Sequence, residues 1–237
     1  MKWQLLCLLG STLAWTCTIS AQQPKQTPKP LETDYYPLKV GHTWTYRSID
    51  VKADAKNNLL KPDEKKVKRH PKVEIKVDRE EIYERVTIIK EKDKKTEKKV
   101  VDPFMGYLLR ATSGSKSTLD HVVVLKEGID RIHSAGIAIN PPVKFFQFGS
   151  TADWTCNSET SDGKALKGTF RASSQTVRVP AGEFRDTYVV SFRDGPPANP
   201  RLEIDYWFAK DVGMVKQRVK SKNNEVILEL EKFDPAK

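Results

Sequence analysis

The sequence has little of what usually carries catalysis. It contains no His-Glu-x-x-His, no paired Cys-x-x-Cys, no Gly-x-Ser-x-Gly and no Gly-rich phosphate loop, the patterns that place a zinc ion, a redox pair, an acyl nucleophile or a nucleotide. The four histidines, His42, His70, His121 and His133, are scattered without metal-ligand spacing, so neither a metal nor a cofactor is expected. Only three cysteines occur, and a fold so poor in thiols is held by its core rather than by disulfide staples. Beyond an amino-terminal leader no apolar run nears the roughly 20 residues of a membrane helix, and no stretch keeps a long helical period.

That leader is the first thing the sequence does have. Met1-Lys2 gives a short positive start, Leu5 to Trp15 is almost unbroken apolar chain, and Thr18-Ile19-Ser20-Ala21 supplies small residues before Gln22-Gln23-Pro24. This is the layout of a secretory signal peptide over residues 1–21, cleaved after Ala21 or Ser20, so an exported protein, periplasmic or secreted, is expected. Cys17 follows Trp15-Thr16, a poor match to lipoprotein processing, which leaves a lipid anchor at Cys17 as the minor alternative. Residues 22–34, rich in Pro, Gln, Lys and Thr, read as a flexible linker, and 35–237 as a single β-rich domain. Cleavage removes Cys7 and Cys17, and the remaining Cys156 reads as a small buried hydrophobe beside Trp154.

The formal net charge is +10 and the isoelectric point near 9.4, yet the basic residues do not form an uninterrupted patch. Between Lys52 and Lys99, acids (Asp63-Glu64, Glu80-Glu81, Glu91, Asp93, Glu97) interleave with the lysines. Such mixing marks solvated strand faces and hairpin tips, so no nucleic acid is expected as partner. Outside the cytoplasm, a basic surface would meet anionic lipid headgroups or wall polymers.

Along the chain the period is two. Val73, Ile75 and Val77 alternate with Glu74, Lys76 and Asp78; Leu202, Ile204, Tyr206 and Phe208 alternate with Glu203 and Asp205; Tyr188, Val190 and Phe192 share one side. Asp54 to Lys72 reads as a long surface loop, and a turn falls at Asp93-Lys94-Lys95. Asp78 to Ile89 fits either a strand or a short helix capped by Asp78, and its Val-Thr-Ile-Ile run favours the strand. Turns at Glu127-Gly128, Pro180-Ala181-Gly182, Asp211-Val212-Gly213 and Lys222-Asn223-Asn224 join successive strands into a meander. The expected fold is all-β with little helix: a large antiparallel meander, forming a curved sheet, an open half-barrel or two packed sheets. A faint echo of residues 37–46 in 142–156, each with a Pro-containing entry and a Trp-bearing strand, reads equally as duplication or as chance reuse of strand-start chemistry. Ser113-Gly114-Ser115-Lys116 matches the Ser-x-x-Lys of penicillin-binding enzymes, and Ser161-Asp162-Gly163 nearly matches their second motif. Both lie in loops between expected strands rather than at a helix start, so they read as chance.

Tyr36-Pro37-Leu38-Lys39-Val40-Gly41 with Trp44-Thr45-Tyr46, Val179-Pro180-Ala181-Gly182-Glu183-Phe184, and Tyr206-Trp207-Phe208-Ala209 with Val212-Gly213-Met214-Val215-Lys216 together resemble a family of exported bacterial β-rich proteins of unknown function. Glu127-Gly128-Ile129 and Pro141-Pro142 extend the resemblance over most of the mature chain. These are turn and strand motifs. The resemblance therefore implies a fold and a compartment, and it transfers no catalytic residue.

Three readings of function follow. The first is a non-catalytic exported domain that binds an apolar or amphipathic envelope component such as a lipid, or a partner protein. The alternatives are a structural envelope module and a hydrolase whose site is assembled from distant loops. The sequence leans against an enzyme. If there is a ligand cleft, its wall is expected from Trp44, Trp154, Trp207, Tyr206 and Phe208, which otherwise pack a core. Intact mass of the protein purified from its native compartment should show a chain beginning at Ala21 or Gln22; a diacylglycerol-modified Cys17 would replace the soluble reading by an anchored one.

Overall fold

A computed structural model describes residues 34–52, 68–90, 97–150, 152–196, 198–222 and 224–237. The leader, most of the linker, the greater part of the Asp54–Lys72 loop and the Asp93-Lys94-Lys95 turn lie outside those residues. The described chain forms twelve strands: β1 (Thr43–Lys52), β2 (Lys68–Lys90), β3 (Glu97–Ser113), β4 (Lys116–Leu125), β5 (Gly128–Ser134), β6 (Ile137–Gln147), β7 (Trp154–Thr160), β8 (Ala165–Val179), β9 (Gly182–Asp194), β10 (Leu202–Ala209), β11 (Gly213–Ser221) and β12 (Asn224–Asp234). Asp78 to Ile89 is strand, within β2, and β2 already starts at Lys68, inside the segment read as loop.

The meander is antiparallel throughout, and it closes. Each strand pairs with its neighbours in sequence, and β1 also pairs with β12 from Thr43↔Asp234 to Lys52↔Asn224. The expected open half-barrel or two-sheet packing is therefore a closed barrel of one sheet. An apolar stripe on β9 and β10 needs a cover, and with no helix among the described residues the opposite wall of the same sheet supplies it. Val190, Phe192, Tyr206 and Phe208 face Ile129, Phe145 and Phe146 within one buried cluster. A register shift between Ile129 and Asp130 on the β5–β6 ladder marks a bulge, which lets both Phe145 and Phe146 enter that cluster.

The ring is uneven. On the β6–β7 side the register holds only Ile139↔Thr160 and Asn140↔Glu159. The next two residues of β6 are Pro141 and Pro142, which have no N–H to give a ladder. Beyond them the indole of Trp154 donates to the carbonyl of Lys144 at 2.8 Å, so a side chain spans the seam that the backbone leaves.

One end of the barrel is stoppered by the segment before β1. Tyr36 enters the core, its ring 5.3 Å from that of Phe208 and 6.1 Å from that of Trp44. His42 Nδ1 lies 2.8 Å from the carbonyl oxygen of Pro37, and Lys210 pairs with Asp34 at 3.2 Å. The Trp44 indole donates to the carbonyl of Val212, and the Tyr46 hydroxyl donates to that of Met214 at 2.8 Å, tying β1 to the β10–β11 turn.

That turn depends on Gly213, which holds φ +93° and whose absent Cβ would stand 3.2 Å from Trp44 Nε1. Gly182, in the β8–β9 turn, holds φ +142° with nothing within 4 Å of a Cβ. Gly182→Val should cost about 1–3 kcal/mol of backbone strain. Gly213→Val should cost about as much again through overpacking against Trp44. Urea unfolding of the two variants checks this; equal losses would sink the claim that Gly213 makes room for the indole.

Candidate functional site

At the end opposite the stopper the barrel is hollow. A cavity of about 320 Å³ lies between β5, β6, β7, β8, β9 and β10, within the range of small-molecule sites. Ile139, Val143, Phe145, Leu166, Phe170 and Phe192 form its apolar wall. Ser134, Thr160, Asp162 and Lys164, from the β5–β6 and β7–β8 hairpins, bring polar groups to the lining. Gly168 on β8 shapes the wall, because a Cβ there would stand 2.4 Å from the Phe192 ring, and its absence leaves that ring room against β8.

Arg131 and Tyr206 also line this space. The guanidinium of Arg131 lies 4.6 Å above the Phe145 ring and 5.9 Å from that of Tyr206. One of its terminal nitrogens lies 3.4 Å from the Tyr206 hydroxyl, which accepts from it. Its Nε stands 3.6 Å from Asp120 Oδ2, with the side chain 21% exposed. The cation is close enough to the stopper to act on it: burial pushes the Tyr36 phenol up, and Arg131 pulls it the other way. Arg131 thus lies between the hollow and the stoppered core.

The outside of the barrel has the opposite character. Arg218 reaches Asp205 at 2.6 Å and Arg193 reaches it at 2.8 Å; Lys220 pairs with Glu203 at 2.9 Å, and Lys216 with Glu229 at 3.0 Å. Burial alone would raise the Glu229 carboxyl, but Arg47 and Lys216 outweigh it and hold the group below its usual range. A membrane-spanning barrel wears an apolar band outside and polar groups within; these strands reverse that order. No helix among the described residues is long and apolar enough to cross a membrane.

Of the aromatic residues expected at a cleft, Tyr206 alone lines the cavity. Trp44 and Phe208, each 1% exposed, are core at the stoppered end. Trp154 stacks on Phe170, its cross-strand partner, at 5.4 Å with 6° between the planes, so it flanks the cavity wall without lining it. Trp207 follows Tyr206 on the opposite face of β10, its indole donating to Gln175 Oε1 at 3.0 Å and Lys216 Nζ lying 5.7 Å from its ring. Cys156 lies in the cavity wall, half-buried, its thiol directed to the carbonyl of Leu166 at 3.2 Å. The Ser-x-x-Lys match is the hairpin turn between β3 and β4, pairing Ser113 with Lys116.

Sequence reasoning missed Arg131, although one signal was there: it follows Ile129 by two on a strand, and a period-two strand puts both on one face. It also missed a histidine pair. His121 and His133 oppose each other across β4 and β5, with ring centroids 4.6 Å apart. The Tyr83 hydroxyl stands between Glu81 and His121 Nδ1, 2.5 Å from the latter. Burial, with His133 adding to it, lowers the His121 pKa. No group of three or more metal-ligating side chains among the described residues is placed to hold an ion.

No protein-family model matches the sequence, and no curated protein matches it significantly. Two solved structures are similar. One is a Bacteroides fragilis NCTC 9343 protein of YmcC-like fold, provisionally described as exported: 13% identity, 85% of this chain and 99% of the other covered, TM-score 0.40. The other is a Parabacteroides distasonis ATCC 8503 protein provisionally described as a lipoprotein: 13% identity, 85% and 98% covered, TM-score 0.40. Likeness at that level carries nothing about what this chain does.

Burial raises the Cys156 thiol above its ordinary pKa, so little reactive thiolate forms at neutral pH. Iodoacetamide should modify Cys156 in the native protein at least about tenfold more slowly than in urea, followed by mass spectrometry of its peptide. Equal rates would remove Cys156 from the wall.

Proposed function

We propose that this is an exported, non-catalytic barrel that holds an apolar or amphipathic molecule of the cell envelope. The observation that carries the reading is the apolar cavity of about 320 Å³ at the unstoppered end. Unfilled space forgoes packing at about 24 cal/mol per Å³, which for this volume is an upper figure of roughly 8 kcal/mol, since water can enter. That is of the same order as the whole stability of a typical domain, about 5–15 kcal/mol. A core that could collapse and does not is kept open for an occupant. The signal-peptide layout of residues 1–21 supports export, and the ion-paired exterior fits a barrel that works in water.

Two measurements test this. Native mass spectrometry of the protein from its own host should show a co-purifying adduct of lipid-like mass. The apolar dye 1-N-phenylnaphthylamine should bind saturably and, at about a hundredfold over its Kd, raise the melting temperature by roughly 5–10 °C. Leu166→Trp, which fills the space, should abolish both effects while the variant stays folded. A protein with no adduct and no saturable binding would instead be a structural envelope module.

A further inference from the structure

Between a polar mouth, where Asp162 and Lys164 stand, and its inner limit the cavity is apolar, and at that inner limit it holds a second cation. Arg131 lies opposite Val122 and Val143 in the strand registers, and its neighbour along the inward face, Ile129, is fully buried. A guanidinium offers five N–H donors in a planar fork. Among the described residues this one makes a long hydrogen bond to Tyr206 at 3.4 Å, while its Nε is buried with no hydrogen-bond partner. The nearest carboxylate, Asp120, stands 3.6 Å away through Oδ2, and its Oδ1 already accepts from the Ala135 backbone N–H at 2.7 Å. A guanidinium 21% exposed, with one ion pair at 3.6 Å and a buried N–H left unbonded, keeps donors free, and an unbonded buried donor is costly where only core packing is served.

Resting on the cavity-binding reading, we infer that the occupant is a hydrocarbon chain ending in a single carboxylate. Its head lies on Arg131 and Tyr206 at the cavity floor, and its tail runs toward the mouth along Phe170, Leu166 and Ile139. The planar fork matches a carboxylate, and the Tyr206 hydroxyl, already beside the guanidinium, donates to the second oxygen. Asp120 argues for one negative charge rather than two, because it would repel a dianionic phosphate. The aromatic faces of Phe145 and Tyr206 hold the guanidinium in place. The size is bounded as well: 320 Å³ accepts roughly ten non-hydrogen atoms at about 30 Å³ each, which selects a medium chain.

The experiment compares decanoate with 1-decanol, which share a tail and differ in the head, by calorimetric titration of the full chain at neutral pH. The wild-type protein should bind decanoate at least about tenfold more tightly than the alcohol. Arg131→Met should erase that preference and leave the alcohol within about twofold of its wild-type affinity, and Tyr206→Phe should reduce the preference by several-fold. The wild-type ratio is decisive even if a variant misfolds. Equal binding of acid and alcohol to the wild type overturns the carboxylate site and leaves the cavity reading standing. A preference that survives Arg131→Met places the head elsewhere and also overturns it. Binding of neither molecule overturns the cavity reading and this inference together.

Discussion

Closure of β1 against β12 is the constraint from which the rest follows. A meander of this length has two edges, each an unpaired row of N–H and C=O groups open to further strands. Pairing the first strand with the last removes both edges at once and creates an inside. The contact is made from the chain's two ends, so neither half can form it alone, and its ladder is backed by side chains. Trp44 of β1 stacks on Phe233 of β12 at 5.4 Å, while Arg47 and Lys216 converge on Glu229. The stopper depends on the same joint, because Trp44 and Tyr46 reach from β1 to the carbonyls of Val212 and Met214.

Closure is weakest where the cavity lies. Pro141 and Pro142 remove two consecutive donors from β6, and the β6–β7 register ends at Asn140. A sheet that pairs fully around its girth draws its walls to one spacing, whereas a seam lets adjacent strands part. The walls on either side of this seam, with Val143 and Phe145 on β6 and Cys156 on β7, line the hollow. Trp154 keeps the gap from widening by bonding Lys144 across it and stacking on Phe170. The same indole therefore restores closure and braces Phe170 of the cavity wall from beside it.

Strands and turns were legible in the sequence because both are local. Alternation named the buried faces of β2, β9 and β10, and the Gly182 and Gly213 turns fall where glycine permits positive φ. The leader and the linker rest on residues outside the described chain. Whether the sheet closes was not legible, because the β1–β12 pairing joins residues from opposite ends of the sequence and leaves no local mark. The tryptophans were read as one class, yet β1 turns Trp44 into the core, β10 turns Trp207 outward and the seam takes Trp154. Arg131 was passed over because a lone arginine on a short strand looks like a solvated face. That it faces inward follows from its position two after the fully buried Ile129 on β5 and from its place in the cavity lining, and only the β4–β5 register brings His121 to His133.

Departures from good packing are informative by their clustering. At the stoppered end the core is closely packed: Tyr36 meets Phe208 edge to face, Trp44 stacks on Phe233, and the Trp44 and Tyr46 polar atoms find carbonyls. At the other end three rules bend within one neighbourhood. The backbone ladder is interrupted by prolines, space is left unfilled, and a guanidinium N–H is buried unbonded. Each lowers stability, and a barrel selected for stability alone would be expected to lose them independently. Their coincidence at one site, against a core that elsewhere agrees with itself, is the observation on which the proposal of a held molecule rests, since departures from local consistency gather at functional sites.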